Sequence, residues 1–151
     1  MPTHYRGKPH DVLALDTFVK LSRAMNTVHA QLLPLLQREY SMTESQFGVL
    51  EALYHLGPLS QGQLSAKILR SGSNLTTVVD NLERDKLVRR ERDESDRRVQ
   101  IVTITERGRA LMKSVLPVHV SRIAKLIGVL SCEEQRELGR LCRKLGRGLA
   151  G

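Results

Sequence analysis

A chain of 151 residues is long enough for one domain with a real core, or for a small domain plus a dimerisation module, and too short for a large multidomain enzyme. It is 40% hydrophobic and 26% charged but only 3% aromatic, with no Trp, so its core must be built from Leu, Val and Ile, which suits packed helices better than an aromatic-rich barrel. A net charge of +8 and a pI near 10.0 favour an anionic partner, nucleic acid or a membrane surface. The surplus is uneven: net zero over residues 1–59, +2 over 60–104 and +6 over 105–151.

Residues 1–10, MPTHYRGKPH, read as a flexible polar tail with no apolar run of signal-peptide length. No stretch approaches the roughly 18 apolar residues of a membrane span, so the expected location is cytoplasmic, with no membrane partner. Cys132 and Cys142 match no CxxC or zinc-ligand spacing and are expected as buried thiols in a reducing compartment. His4, His10, His29, His55 and His119 form no HxxxH or Cys/His cluster, so no metal and no cofactor is implied.

From Asp11, apolar residues at Leu15, Phe18, Leu21, Met25, Val28, Leu32 and Leu36 form one stripe of a long first helix, which Pro34 should kink or end. Thr43-Glu44-Ser45-Gln46 has the form of a capping box and opens a second helix that turns Phe47, Leu50, Leu53 and Tyr54 inward and stops at Gly57-Pro58. The box recurs at Ser60-Gln61-Gly62-Gln63, with Leu59 and Leu64 as a hydrophobic staple, predicting a short third helix from about Gln61 to Leu69. Arg70 to Ser73 read as a turn, with Ser71 or Ser73 capping a fourth helix whose buried face is Leu75, Val78, Val79 and Leu82.

After Lys86 the period changes. The runs 87–92 and 99–104 are β-branched or alternating and flank the polar hexad Asp93-Glu94-Ser95-Asp96-Arg97-Arg98, a β-hairpin with a charged tip. Ile101 and Val102 are adjacent, so the alternation leaves the faces of the second strand unassigned. Thr105 caps a fifth helix with Pro117 inside it. Ser131-Cys132-Glu133-Glu134 is a third capping box, opening a last helix with Leu138, Leu141, Cys142, Leu145 and Leu149 on one side.

With its apolar set inward, the fourth helix leaves Asn74, Thr76, Thr77, Asp80, Asn81 and Arg84 on its other faces. These are short, hydrogen-bonding side chains suited to base edges and phosphates. The amides near Ser71 to Asn74, at the positive end of the helix dipole, form a phosphate seat, with Ser60, Gln61 and Gln63 holding flanking phosphates. Arg97 and Arg98 stand where a loop could enter a minor groove, oriented by Asp93 and Asp96 through carboxylate–guanidinium pairing.

These residues resemble the multiple-antibiotic-resistance regulator (MarR) family of bacterial transcription factors. The likeness covers about residues 12–147. It is carried by Gly57-Pro58-Leu59-Ser60, Ser71-Gly72-Ser73-Asn74-Leu75-Thr76, Leu82-Glu83-Arg84-Asp85-Lys86-Leu87-Val88, the wing string Asp93 to Arg98, and Thr103-Ile104-Thr105-Glu106-Arg107-Gly108. The resemblance implies a mainly α fold with a small β-hairpin wing: a winged helix-turn-helix plus N- and C-terminal dimerisation helices. One domain over 11–147 is expected, with dimerisation helices at 11–37 and 106–147, the winged helix at 43–104, the helix-turn-helix motif at about 60–86 and the wing at 87–104.

The family's roles fall on Ser73, Asn74, Thr76, Thr77, Asn81 and Arg84 for the major groove and on Arg97 or Arg98 for the minor groove, with Arg70 and Ser71 joining the DNA-contacting set. The partners implied are double-stranded DNA with a pseudo-palindromic operator, a second copy of the chain, and a small aromatic or phenolic effector that releases a repressor. Arg23, His29, Phe47 and His119 are the candidate effector-lining residues. A winged-helix protein-interaction module, a redox-responsive regulator using Cys132 and Cys142, and a membrane-surface protein are the rival readings. An enzyme is not expected, because no nucleophile–base pair, phosphate loop or metal constellation is visible.

Overall fold

The structure, a computed structural model, describes residues 4–68 and 74–150. The elements in chain order are α1 (Pro9–Tyr40), α2 (Glu44–Leu56), β1 (Leu59–Ser60), α3 (Gln61–Lys67), α4 (Leu75–Arg84), β2 (Val88–Arg92), β3 (Gln100–Ile104), α5 (Glu106–Ile127) and α6 (Cys132–Leu149). Two compact units divide the chain, one ending at Val115 and one beginning at Leu116.

In the first unit, α1 starts two residues before the expected Asp11, because Pro9 at the first helical position has its φ already set for a helix and needs no amide partner. Pro34 does not end the helix, which runs on to Tyr40. Leu32 and Leu36 on either side of Pro34 are buried, and their packing offsets the hydrogen bond that the proline removes. The helix stops at Ser41, whose left-handed φ of 53° lets its amide reach back to the last turn. All three expected capping boxes form: Thr43 with Gln46, Ser60 with Gln63, and Ser131 with Glu134. In each, the hydroxyl accepts the third residue's amide while that residue's side chain accepts the cap's own amide. Ser60→Ala should therefore cost about 1 kcal/mol of unfolding free energy in a denaturant titration, with an unchanged m-value.

The fourth helix is capped by Asn74, whose side chain accepts from the Thr77 amide at 3.3 Å, rather than by Ser71 or Ser73, which lie outside the described residues, as do Leu69 and Arg70. The hairpin is antiparallel with Val88 opposite Ile104 and Arg92 opposite Gln100. A strand that periodicity did not reveal, β1, pairs with β3 and completes a three-stranded sheet in the order β1-β3-β2. The sheet also settles the faces of the second wing strand: Val102 and Ile104 point into the core with Val88. That core gathers Phe47, Val49, Leu50 and Leu53 of α2, Leu64 of α3, Val79 and Leu82 of α4, and Met112 and Val115 of α5.

The joint between α4 and α5 is tight. Thr105 donates its hydroxyl to the Lys86 carbonyl at 2.7 Å, accepts from the Gly108 amide at 3.0 Å, and donates its own amide to the Leu87 carbonyl at 3.0 Å. This confirms Thr105 as the cap of α5 and ties that helix to the turn that follows α4.

In the unit beginning at Leu116, α6 buries no residue. Leu138, Leu141, Leu145 and Leu149 are all exposed, and so are Cys132 and Cys142, contrary to the expectation of buried thiols. The apolar stripe that periodicity predicts on α6 is present, and its leucines are exposed. The α1 stripe behaves likewise: Phe18, Leu21 and Met25 are exposed while Leu32 and Leu36 are core. No single helix among the described residues is long and apolar enough to cross a membrane.

Candidate nucleic-acid interface

Of the side chains singled out for DNA contact, those of α3, α4 and the hairpin tip lie in the first unit, and Arg70, Ser71 and Ser73 lie outside the described residues. Helix α4 has its apolar residues on one arc, with Val79 and Leu82 fully buried, and its polar residues on the other. Asn74, Thr76, Thr77 and Arg84 are exposed and Asn81 is half-buried. Arg84 is 72% exposed and only loosely paired with Asp85, at 3.6 Å, so its guanidinium is open to an external anion.

The first turn of α3 is less free than its sequence suggested. Ser60 and Gln63 are engaged in their capping box, Gln63 Oε1 accepting from the Ser60 amide at 2.9 Å. Gln61 reaches across to α4, where its Nε2 donates to Thr76 Oγ1 at 3.1 Å. Gln61 thereby fixes the hydroxyl of Thr76, a bond between residues 15 positions apart that no local pattern displays.

At the hairpin tip the two acids do different things. Asp96 accepts from Arg98 three times: from the backbone amide at 3.1 Å, from Nε at 3.2 Å and from Nη2 at 3.5 Å. Asp93 instead accepts from the Ser95 hydroxyl at 2.9 Å, and its amide donates to the Val99 carbonyl, so it shapes the turn and orients no arginine. Arg98 remains 92% exposed while held in this fork, and Arg97 stands exposed beside it. The hydrogen bond from the Arg98 side chain, followed by that from its amide, holds the Asp96 carboxyl below its usual value of 3.8. A lowered pKa stabilises the folded wing at pH values above the ordinary one and loses that contribution only as pH falls through the depressed one. The wing geometry is accordingly expected to be pH-independent from about 5 to 8. An NMR titration of the Asp96 carboxyl carbon checks this, a midpoint above 4 being the contrary result.

The four residues expected to line an effector site fall in different settings, three in the first unit and His119 in the second. Arg23 is exposed, Phe47 belongs to the core, and His119 is nearly buried in the second unit. His29 lines a shallow groove with Asn26, Ala30, Leu33, Pro34, Gln37, Met42, Thr43 and Glu44, and its Nε2 lies 3.6 Å from Glu44 Oε1. A cleft of about 480 Å³ that sequence reasoning missed opens beside the end of α4. Leu82, Leu87, Met42 and Leu111 form its apolar wall and Gln46, Asp85 and Arg107 its polar groups. Residue type alone could not find it, since its lining comes from three separated stretches, 40–46, 82–87 and 107–111. Among the described residues no group of His, Cys, Asp and Glu could hold a metal ion.

Two short helices, α3 and α4, followed by a hairpin that presents an aimed arginine, define a winged-helix DNA-binding head. The MarR family model matches residues 42–99, which hold α2 to the hairpin tip. The HTH-type transcriptional regulator MhqR of Bacillus subtilis (strain 168) is 34% identical over 133 residues, 88% of this chain and 91% of that protein. Among solved structures, Sco3205 of Streptomyces coelicolor, a MarR family regulator in complex with DNA, superposes with a TM-score of 0.85 at 25% identity, covering 98% of this chain and 93% of that one. BpsR of Bordetella bronchiseptica, whose DNA binding is regulated by 6-hydroxynicotinic acid, has a TM-score of 0.72 at 25% identity over 84% of this chain and 98% of its own. The chain belongs to the MarR family of DNA-binding transcriptional regulators, and its relatives are regulators, not enzymes.

Proposed function

We propose that the protein acts in the cytoplasm as a homodimer on a pseudo-palindromic operator and represses transcription until a small aromatic or phenolic acid releases it. The observation that carries the DNA-reading part is the pairing, on one sheet-braced unit, of an exposed polar α4 face with a wing arginine aimed by Asp96. Asn74, Thr76, Thr77, Asn81 and Arg84 then read the major groove and Arg98 enters the minor groove, while the roles of Arg70, Ser71 and Ser73 rest on the sequence pattern alone. The DNA complex of Sco3205 supports this arrangement.

A second copy of the chain accounts for the uncovered stripes on α1 and α6, since apolar area removed from water contributes about 25 cal/mol per Å². Two equal heads then require half-sites about one helical turn, ~34 Å, apart. The effector reading is supported by BpsR and by the cleft beside α4, where Arg107 offers a carboxylate its counter-charge and four apolar side chains offer a ring its contact surface. A ligand seated there can act only by preferring one head spacing over the other.

Selection of duplexes from a random library by the full-length protein should enrich a two-fold repeat of that spacing. Adding hydroxylated aromatic acids, 6-hydroxynicotinic acid among them, should then weaken binding of the enriched duplex, and Arg107→Ala should abolish that response. Failure to enrich any repeat defeats the operator reading, and enrichment indifferent to every acid defeats the effector reading.

A further inference from the structure

One acid sits where a DNA-reading helix should not tolerate it. With about 100° of rotation per residue, Thr76, Asp80, Arg84, Thr77 and Asn81 follow one another around the polar arc of α4, opposite the buried Val79 and Leu82. Asp80 therefore lies between Thr76 and Arg84 inside the reading face, and it is exposed. A bare carboxylate in that position would meet phosphate-lined DNA and repel it.

A guanidinium from the wing covers it. Arg90, on β2, donates through Nη2 to Asp80 Oδ1 and, at 3.3 Å, to Glu83 Oε1, and its backbone amide donates to Glu83 Oε2 at 3.0 Å. The Arg90 side chain is 19% exposed, against 51% for Asp80 and 42% for Glu83, so the arginine is the most covered member of the cluster and its donors are turned to the protein. The hydrogen bond with Asp80 also holds the guanidinium's pKa above its ordinary value, which keeps the charge in place at any working pH.

We infer that Arg90 is a positioning residue of the DNA-binding surface: it neutralises Asp80 within the reading face and joins the wing's first strand to the recognition helix, so that helix and wing engage DNA as one piece. The guanidinium fork bridges two carboxylates on successive turns of one helix through Nη2, and with the Arg90 amide bonded to the same Glu83 it fixes the rotation of α4 relative to the sheet, which one point contact could not do. Wing arginines pointing outward, such as Arg98, are thereby left to contact DNA. The inference rests on the DNA-binding reading above.

Its test uses the full-length protein and a fluorescent duplex enriched by the wild type from a random library. Arg90→Met, which keeps the apolar stem, should weaken binding about tenfold or more. Asp80→Asn should bind at least as well as wild type, and adding it to Arg90→Met should restore most of the loss, a rescue that a merely structural strut would not show. Arg90→Lys, which keeps the charge without the fork, carries the same comparison with and without Asp80→Asn should Arg90→Met not fold. An equal loss with and without Asp80→Asn, or no loss at all, overturns the inference while leaving the DNA-binding reading intact. A wild type that enriches no duplex overturns both.

Discussion

Gly108→Ala is expected to destabilise the winged-helix unit by about 2 kcal/mol, although alanine is the better helix former by up to about 1 kcal/mol. A Cβ at Gly108 would stand 2.2 Å from the Leu87 carbonyl oxygen and 2.8 Å from Ile104 Cγ1. The nearer obstacle is backbone, and it cannot swing aside as a side-chain tip would. That same carbonyl accepts the Thr105 amide, so moving it strains the Thr105 cap and the turn at Lys86, which already holds a left-handed φ of 60°. Overpacking of this kind costs about 1–3 kcal/mol and a weakened hydrogen bond about 1 more, which together outweigh the propensity gain. Thermal melting should show a fall of roughly 4–8 °C. Gly62→Ala is the control, because its nearest non-neighbour atom is Ser60 Oγ at an ordinary 3.9 Å, and it should melt at or slightly above wild type. A Gly108→Ala protein as stable as that control would refute the close approach.

Arg98→Ala should have the largest single effect on DNA binding, with little effect on stability. The side chain is 92% exposed, so its removal opens no cavity, yet Asp96 holds it in a defined direction before any ligand arrives. Pre-orientation lowers the entropy lost when a long side chain is immobilised on binding. A positioned arginine in a narrow minor groove is worth about 1–3 kcal/mol, so operator affinity should fall roughly 5- to 150-fold in fluorescence anisotropy. Asp96→Ala should fall less, because the guanidinium survives and only its aim is lost. Arg97→Ala, at a position no fork was found to hold, should also fall less than Arg98→Ala. The reverse ranking would assign the groove contact to Arg97.

What could be read from the sequence follows the range of the interactions involved. Caps at Thr43, Ser60, Thr105 and Ser131 were legible because each is a bond between a side chain and a backbone amide three residues away. The fourth cap was misplaced among Ser71, Ser73 and Asn74 because all three are good caps, and only the position of the first helical turn selects Asn74. Strand β1 escaped notice because two residues carry no period, and its pairing with Val102 and Ile101 is set by the sheet. The glycine after the wing was recognised as part of a pattern, but its reason, the Leu87 carbonyl, lies 21 residues away in the chain.

The candidate site divides along the same line. For residues on a single helix, such as Asn74, Thr77 and Arg84, periodicity suffices to place them on the exposed face. Those acting across elements escape it: Gln61 reads as a phosphate holder, Asp80 as one more polar residue of the exposed face, and Arg90 carries no role in the pattern. The expected effector residues rest on residue type, whereas the cleft beside α4 draws on Asp85 and Arg107, which lie inside the family motifs but carry no ligand role there. The net charge of only +2 across residues 60–104 gains a structural meaning as well: Arg89 and Arg90 are paired with acids of the protein itself, leaving a few placed groups such as Arg84 and Arg98 to meet DNA.

The most direct test of the winged-helix head as a DNA-reading device is the affinity of the full-length protein for its selected duplex, measured between 50 and 300 mM salt beside a random duplex of equal length. Affinity for the selected duplex should exceed the random one by at least about 10³ at physiological salt. It should fall linearly on log–log axes with a slope of about −4 or steeper, each neutralised phosphate contributing about −0.9. Equal affinity for both duplexes, with a slope near zero, would contradict the account.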